Sequence, residues 1–429
     1  MPSARRSAGR WSRRARGRLC VVAVVAGAAG FQAARWARAE AELERRLTDL
    51  HAQGVLAPPG HVDSHGVSES ARRLTVAVRL LDKWLFGHAR EQVTAGAPWS
   101  WRPEHRHRLA AALAPAEPFF RQADALLSGA DAARLRERNE GLGGALEQPA
   151  HRRAWVRLLC ARAVLDSTRA GGSADATRRL GQALDLAHLL GETTSWELLS
   201  RQSLEALALG ALQQLLREGS MDARALRAAI EPRLRATSGI ARLDAALAGD
   251  LRAWAERGRP PLAGASWTAL LVRPGSLERQ VATLRSFESA RVLAFLPERE
   301  YERWPRDGRG LPRVEHGASD GHDASWAAVV EAWRAHQSAL ALARVALALA
   351  EWRQLHGAWP EDLDRLRGVF GGSVPLDPCS ARPFAWSAAD ARLGPTAFSA
   401  RGAGSRAREE QQLHLWALQA AADPVHGAR

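Results

Sequence analysis

The chain has 429 residues, 46% hydrophobic and 25% charged, with a net charge of +14 and three cysteines. Those proportions suit a folded globular protein and exclude a low-complexity or disordered chain.

The charge is uneven. Arg5, Arg6, Arg10, Arg13, Arg14, Arg16 and Arg18 supply half of the excess within the first eighteen residues. Elsewhere the basic residues are arginines, apart from Lys83, scattered along helical stretches with Glu or Asp close by. That pattern reads as solvated helix faces, without the clustered basic face and interleaved aromatics of a nucleic-acid binder. No nucleic-acid partner is expected. Cys20, Cys160 and Cys379 share no C-x-x-C spacing, so no zinc site is expected. A Cys160–Cys379 disulfide remains open for an oxidising compartment.

Residues 1–18 read as a basic cytoplasmic tail and residues 19–35 as a transmembrane anchor. The apolar run Leu19–Ala34 is sixteen residues, short of the about 20 that a spanning helix needs. Arg35 and Arg38 can snorkel, and Trp36 suits an interface. The positive-inside rule then puts the bulk of the chain beyond a bacterial inner membrane, on its periplasmic or extracytoplasmic side. The membrane is the first partner this implies, and an envelope protein the second. Cleavage of an export signal at Ala26-Gly27-Ala28 is the competing reading.

Residues 36–258 read as an α-helical domain. A helix from Ala39 stops near Gly54, and the Pro/Gly-rich stretch 55–68 breaks the pattern. Leu74, Ala77, Val78 and Leu81 resume helical spacing. Residues 94–103 break it again, and another helix starts near Glu104. The clearest helical patterning lies in 149–258. Leu180, Ala183, Leu184 and Ala187 follow i, i+3, i+4, i+7. Leu204, Leu207, Ala208, Ala211, Leu212 and Leu215 extend that spacing over three turns. Thr194 to Glu197 fits a capping box, and Gly219 fits a stop. Short turns favour antiparallel hairpins. No 34-residue period is present, so the array is irregular.

Residues 259–322 form a Pro/Gly-rich excursion around one expected helix at 276–295. Residues 323–429 form a terminal module. Its long helix, Ser325 to Leu355, contains "ALALARVALALAEW", which is apolar nearly all round apart from Arg344 and should be buried. Gly357 ends it. Pro360 suits the first position of a short helix to Gly368, with Glu361 and Asp362 in its first turn and Leu363 and Leu366 inward. Pro375, Asp377 and Pro378 set an extended turn. Two short strands are expected at 383–387 and 395–400 around a turn at 388–394. Residues 412–418 would supply a third strand or a last helix. The fold class is thus mainly α: one anchor helix, irregular helical hairpins, and a small α+β end.

The stretch "EWRQLHGAWPEDLDRL", then "VPLDPCSARPFAWS", then "AFSARGAG" resembles the C-terminal half of type II secretion major pseudopilins, over about sixty to eighty residues. It also resembles membrane-anchored bacterial proteins carrying this module after a long helical region. The resemblance implies a helix-ending turn, a Pro-x-Asp-Pro turn and a small antiparallel sheet. It assigns Gly357, Pro360, Leu363, Leu366, Pro375, Asp377, Pro378, Ser399 and Gly402 to turns and packing. Gly30-Phe31 falls near the end of the apolar run, and Arg35 stands where that family has Glu. Both depart from a polymerising pilin. The segment "SARGAGSRAREEQQ" carries arginines where a pseudopilin calcium loop has acids.

Chemistry-bearing clusters are few. His61, Asp63 and His65 alternate as metal ligands on a strand would, and Glu315, His316, Asp320, His322 and Asp323 form a similar group. Both read first as polar turns, with Asp323 an N-cap. Glu351 and His356, near the end of the long helix, are candidates for proton transfer and read first as surface or capping residues. No G-x-S-x-G elbow, P-loop or H-E-x-x-H occurs. The sequence therefore supports a membrane-anchored envelope protein with a binding or scaffolding role, secretion-associated by resemblance, with no catalytic residue and no cofactor. The alternative is an envelope metal-dependent hydrolase using His61, Asp63 and His65 or His316 and His322.

Overall fold

The computed structural model describes residues 13–55, 106–117, 149–188, 194–236, 240–257, 280–285, 326–395 and 416–418, with isolated positions at 120–127 and 287–295. Among these the protein is predominantly helical with one small sheet. The helices are α1 (Arg13–Ala52), α2 (Arg106–Leu113), α3 (Pro149–Asp166), α4 (Ser173–His188), α5 (Ser195–Glu218), α6 (Ala223–Ala236), α7 (Ile240–Arg257) and α8 (Trp326–His356). A 3-10 helix at Leu363–Phe370 follows, then β1 (Ala385–Ser387), β2 (Arg392–Gly394) and β3 (Trp416–Ala417).

The chain divides into two compact units, with the boundary inside α7. One comprises residues 1–59, 251–289 and 308–323. Its described part buries Leu50, Leu284 and Phe287 and adds ion pairs: Arg46 pairs with Glu42 at 2.7 Å and with Glu288, and Arg285 reaches Glu42 at 3.3 Å. Hydrogen bonds from Arg45 and Arg46 hold the Glu42 carboxyl down at about 2. α1 runs unbroken through the apolar segment proposed as an anchor. Among the described residues no helix is long and apolar enough to cross a membrane.

The other unit carries the main core. α5 packs against α3, α4 and α8, and α6 packs against α4 and α8. α5 therefore needs apolar residues around most of its circumference, as its long Leu/Ala run supplies. It starts where the Thr194 hydroxyl accepts from Glu197 N at 3.2 Å, and ends at Gly219 in the left-handed region at φ 65°. α3 and α4 form an antiparallel hairpin whose turn depends on Gly172. A Cβ there would lie 1.8 Å from the Asp166 carbonyl oxygen. Trp155, Leu158, Leu159, Leu180 and Phe120 are fully enclosed, each burial worth roughly 1.5–3 kcal/mol.

The sheet is antiparallel in the order β1-β2-β3, with Trp386 opposite Leu393 and Leu393 opposite Trp416. Leu393 and Trp416 are buried, and β2 and β3 lie against α8 and α5 respectively. Two expectations need correction here. The second strand is Arg392–Gly394, inside the segment read as a turn, because Ser387 and Asp390 close a tighter turn with Ala391 at φ 49°. The short helix does not begin at Pro360. Asp362 is its N-cap, accepting from Arg365 N at 3.1 Å, because a carboxylate satisfies a free helical N–H and Pro360 lies too far upstream to do so. Residues 412–418 do contribute a strand. Cys160 and Cys379 are separate free thiols, each buried against a different carbonyl, Leu207 and Arg334.

Candidate functional site

Two kinds of polar site occur in the larger unit: carboxylates closed by arginine and histidine, and one open pocket with an under-satisfied arginine.

The most buried closed site centres on Glu205 of α5. Arg201, one turn earlier, donates through Nε to Oε1 at 2.8 Å. His336 of α8 places Nε2 2.5 Å from Oε2. His188, the last residue of α4, brings Nε2 to 3.2 Å from Oε1 without an aligned hydrogen bond. Burial alone would raise the Glu205 carboxyl, but its contacts to His188, His336 and Arg201 outweigh that and hold it well below the usual range. Burial lowers His188 despite the carboxylate beside it. The cluster ties three helices together from within.

The other closed sites follow the same plan. Arg233 of α6 grips Asp185 of α4 with Nε and Nη2 at 3.0 and 2.9 Å. Gly181 explains itself there, since a Cβ would meet the Arg233 Cζ at 3.3 Å. Asp124 binds Arg179 at 2.6 Å and 2.9 Å and accepts from Gln182 at 2.9 Å. The guanidiniums of Arg162 and Arg179 each lie 5.2 Å from the Phe120 ring centre. Arg227 of α6 joins Glu231, Glu351 of α8 and the Val369 carbonyl. Glu351 is thus an anchoring carboxylate, and His356 stacks on Trp352 with ring centres 4.0 Å apart.

The open site is a cavity of about 300 Å³. Leu234 at the end of α6, then Gln337, Leu340, Ala341 and Arg344 of α8, then the turn Pro375–Pro378 with Ala381 line it. The turn is pinned by Asp377, whose side chain is wholly enclosed. Its Oδ1 accepts from Ser338 Oγ at 2.7 Å and Cys379 N at 3.0 Å, and its Oδ2 from Ser380 Oγ at 2.9 Å. Its own N–H donates to the Arg382 carbonyl at 2.9 Å. Two prolines and this carboxylate therefore build one wall of the cavity against α8.

Arg344 supplies the cavity's positive charge. Its charged partner among the described residues is Glu231, at 3.5 Å from Nε, and that Nε is buried without a hydrogen bond. Glu231 is already engaged, accepting from Arg235 on Oε1 and from Arg227 on Oε2. Burial lowers the Arg344 pKa, and repulsion from Arg235 and Arg227 adds to it. Leu376 at the cavity is half exposed, so an apolar side chain meets solvent there.

Of the turn residues singled out in the sequence, Asp377, Pro375 and Pro378 come together at this cavity. Gly357 lies elsewhere, ending α8 at φ 74° with its N–H on the Arg353 carbonyl. The Pro360 carbonyl accepts from Trp386 Nε1 at 2.9 Å, tying the segment ahead of the 3-10 helix to β1. His61, Asp63, His65, Glu315, His316, Asp320, His322 and Asp323 lie outside the described residues. Among the described residues no group of three His, Cys, Asp or Glu side chains is placed to hold a metal. Sequence reasoning missed the Glu205 cluster and the place of Arg344 in a cavity lining. The available signal was Arg344 itself, a charge interrupting an otherwise apolar buried helix. Compared with known protein families, curated proteins and solved structures, the chain matches none.

Proposed function

We propose that this is a membrane-anchored envelope protein whose helical unit binds a ligand, with the Arg344 cavity as the binding site. The cavity carries the reading. There a guanidinium paired through one 3.5 Å contact to a shared carboxylate lines accessible space, whereas the carboxylates described above are held by cations at closer range. A cavity that sets apolar walls beside a few convergent polar groups can hold a ligand. Pinning of its wall by Asp377 keeps the cavity preformed, which lowers the entropic cost of binding.

The anchor rests on the seven arginines before Leu19 and on the helical course of α1 through the apolar run. The run is short, and Arg18 and Arg35 at its ends can snorkel to extend its reach. The pseudopilin-like pattern of the C-terminal end directs the search for partners to secretion-associated envelope proteins.

Two experiments test this. Alkaline phosphatase fused after residue 429 should be active and fractionate with membranes. A cytoplasm-only fluorescent fusion that lights up instead would overturn the anchored, exported placement. For the binding role, ligand-observed NMR with a small-fragment set should give hits that Ala341→Leu, which fills the cavity, abolishes. Hits indifferent to Ala341→Leu, or no hits, would overturn it.

A further inference from the structure

We infer that the cavity takes a small aliphatic monocarboxylate, with its carboxylate on the Arg344 guanidinium and its chain against Leu234, Leu340, Pro375 and Leu376. This inference rests on the binding role proposed above and names the ligand class.

Three observations select that class. First, the cavity has a cation with donors to spare: Arg344 contacts Glu231 at 3.5 Å, and Glu231 is shared with Arg227 and Arg235. A buried charged donor left unmatched is costly, and a carboxylate meets a guanidinium with two parallel hydrogen bonds. Second, the charge balance favours a single negative charge. Arg344 is the cation that lines the cavity, while the Asp377 carboxylate stands in the same wall. A dianionic phosphate would bring a second charge and find no second cation in the lining, since Arg227 and Arg235 behind it are held on Glu231. The Asp377 oxygens are occupied by Ser338, Ser380 and Cys379 N, so they leave the cation to the ligand. Third, the remaining walls are Leu, Ala and Pro, with Gln337 beside them. At about 300 Å³ the volume sits at the lower end of the roughly 300–1,000 Å³ of ligand pockets. A short alkyl chain fills such a space and buries its methylenes there.

The test is isothermal titration of the detergent-solubilised full chain at low salt with hexanoate, hexanol, hexylamine and hexyl phosphate. Hexanoate should bind saturably at one site and more tightly than the other three. Arg344→Gln should weaken hexanoate about tenfold or more while leaving hexanol unchanged. Arg344→Lys, which keeps the charge and loses the fork, should fall between. Ala341→Leu should remove binding without touching the cation, and circular dichroism melts would confirm that each variant folds. If hexanol binds as well as hexanoate and both are lost in Ala341→Leu, the carboxylate inference falls and the binding role stands. If hexyl phosphate binds most tightly, the single-charge argument is wrong. If none of the four binds, the inference is overturned, and the fragment screen above decides the binding role separately.

Discussion

The Glu205 cluster and the Arg344 cavity are built from the same materials and do opposite things. Around Glu205 one carboxylate meets a guanidinium and two imidazoles, all enclosed between α4, α5 and α8. Around Arg344 one guanidinium leans on a carboxylate that two other arginines already hold. The first arrangement consumes its charges internally and stabilises helix packing. The second leaves a weakly paired guanidinium in the lining of a cavity. Burial of a charge is therefore not itself a sign of function here. What separates the two is that the charges around Glu205 are enclosed among helices, whereas Arg344 lines an open cavity.

Breaking the closed side should give the largest effect. Glu205→Ala leaves Arg201 and His336 buried with no counter-charge. We expect a loss of about 3–5 kcal/mol in urea unfolding. A loss under about 1 kcal/mol would mean the cluster is hydrated and unimportant to packing. The turn that walls the cavity comes next. Asp377→Ala strands the Cys379 N–H and two hydroxyls, and should cost about 2–3 kcal/mol. It should also loosen the cavity, so fragment binding should weaken with stability, linking the wall to the site.

Acid sharpens the same contrast. Both Glu205 and His188 titrate below their ordinary values in the folded protein. The unfolded chain therefore binds more protons as pH falls through 6.5 for histidine and 4.5 for glutamate. Stability from these groups is fully present above 6.5 and is lost progressively below it. Urea midpoints should fall on acidification, and His188→Gln should flatten the first part of that fall. A midpoint independent of pH from 6.5 downwards would contradict the assignment. The smallest effect should come from a helix end. Thr194→Ala removes the cap on Glu197 N and should cost about 1 kcal/mol, measured by the same unfolding.

Local rules account for what the sequence revealed. Thr194 and Gly219 bound α5 as their chemistry requires, because a cap or a left-handed glycine acts within one turn of chain. The apolar face over Leu204 to Leu215 shows that α5 is buried. It does not show that His336, 131 residues away, meets Glu205. Long-range pairing leaves no local period to read. The hairpin register was missed for a related reason: a turn read as Ala388–Gly394 contains the real strand, and only the buried Leu393 opposite Trp386 and Trp416 fixes where pairing starts. The 3-10 helix began later than proline placement suggested, because a capping carboxylate at Asp362 outranked Pro360. Asp377 was legible as a turn residue, but its role in walling a cavity depends on Ser338 in a helix 39 residues earlier.

The most direct test of the account is a crystallographic fragment screen on the full chain. Bound fragments should collect in the cavity between α8 and the Pro375–Ala381 turn, with acidic ones placing oxygen on Arg344. Fragments that avoid that cavity and collect at other surfaces, with Arg344 turned onto Glu231 throughout, would contradict it.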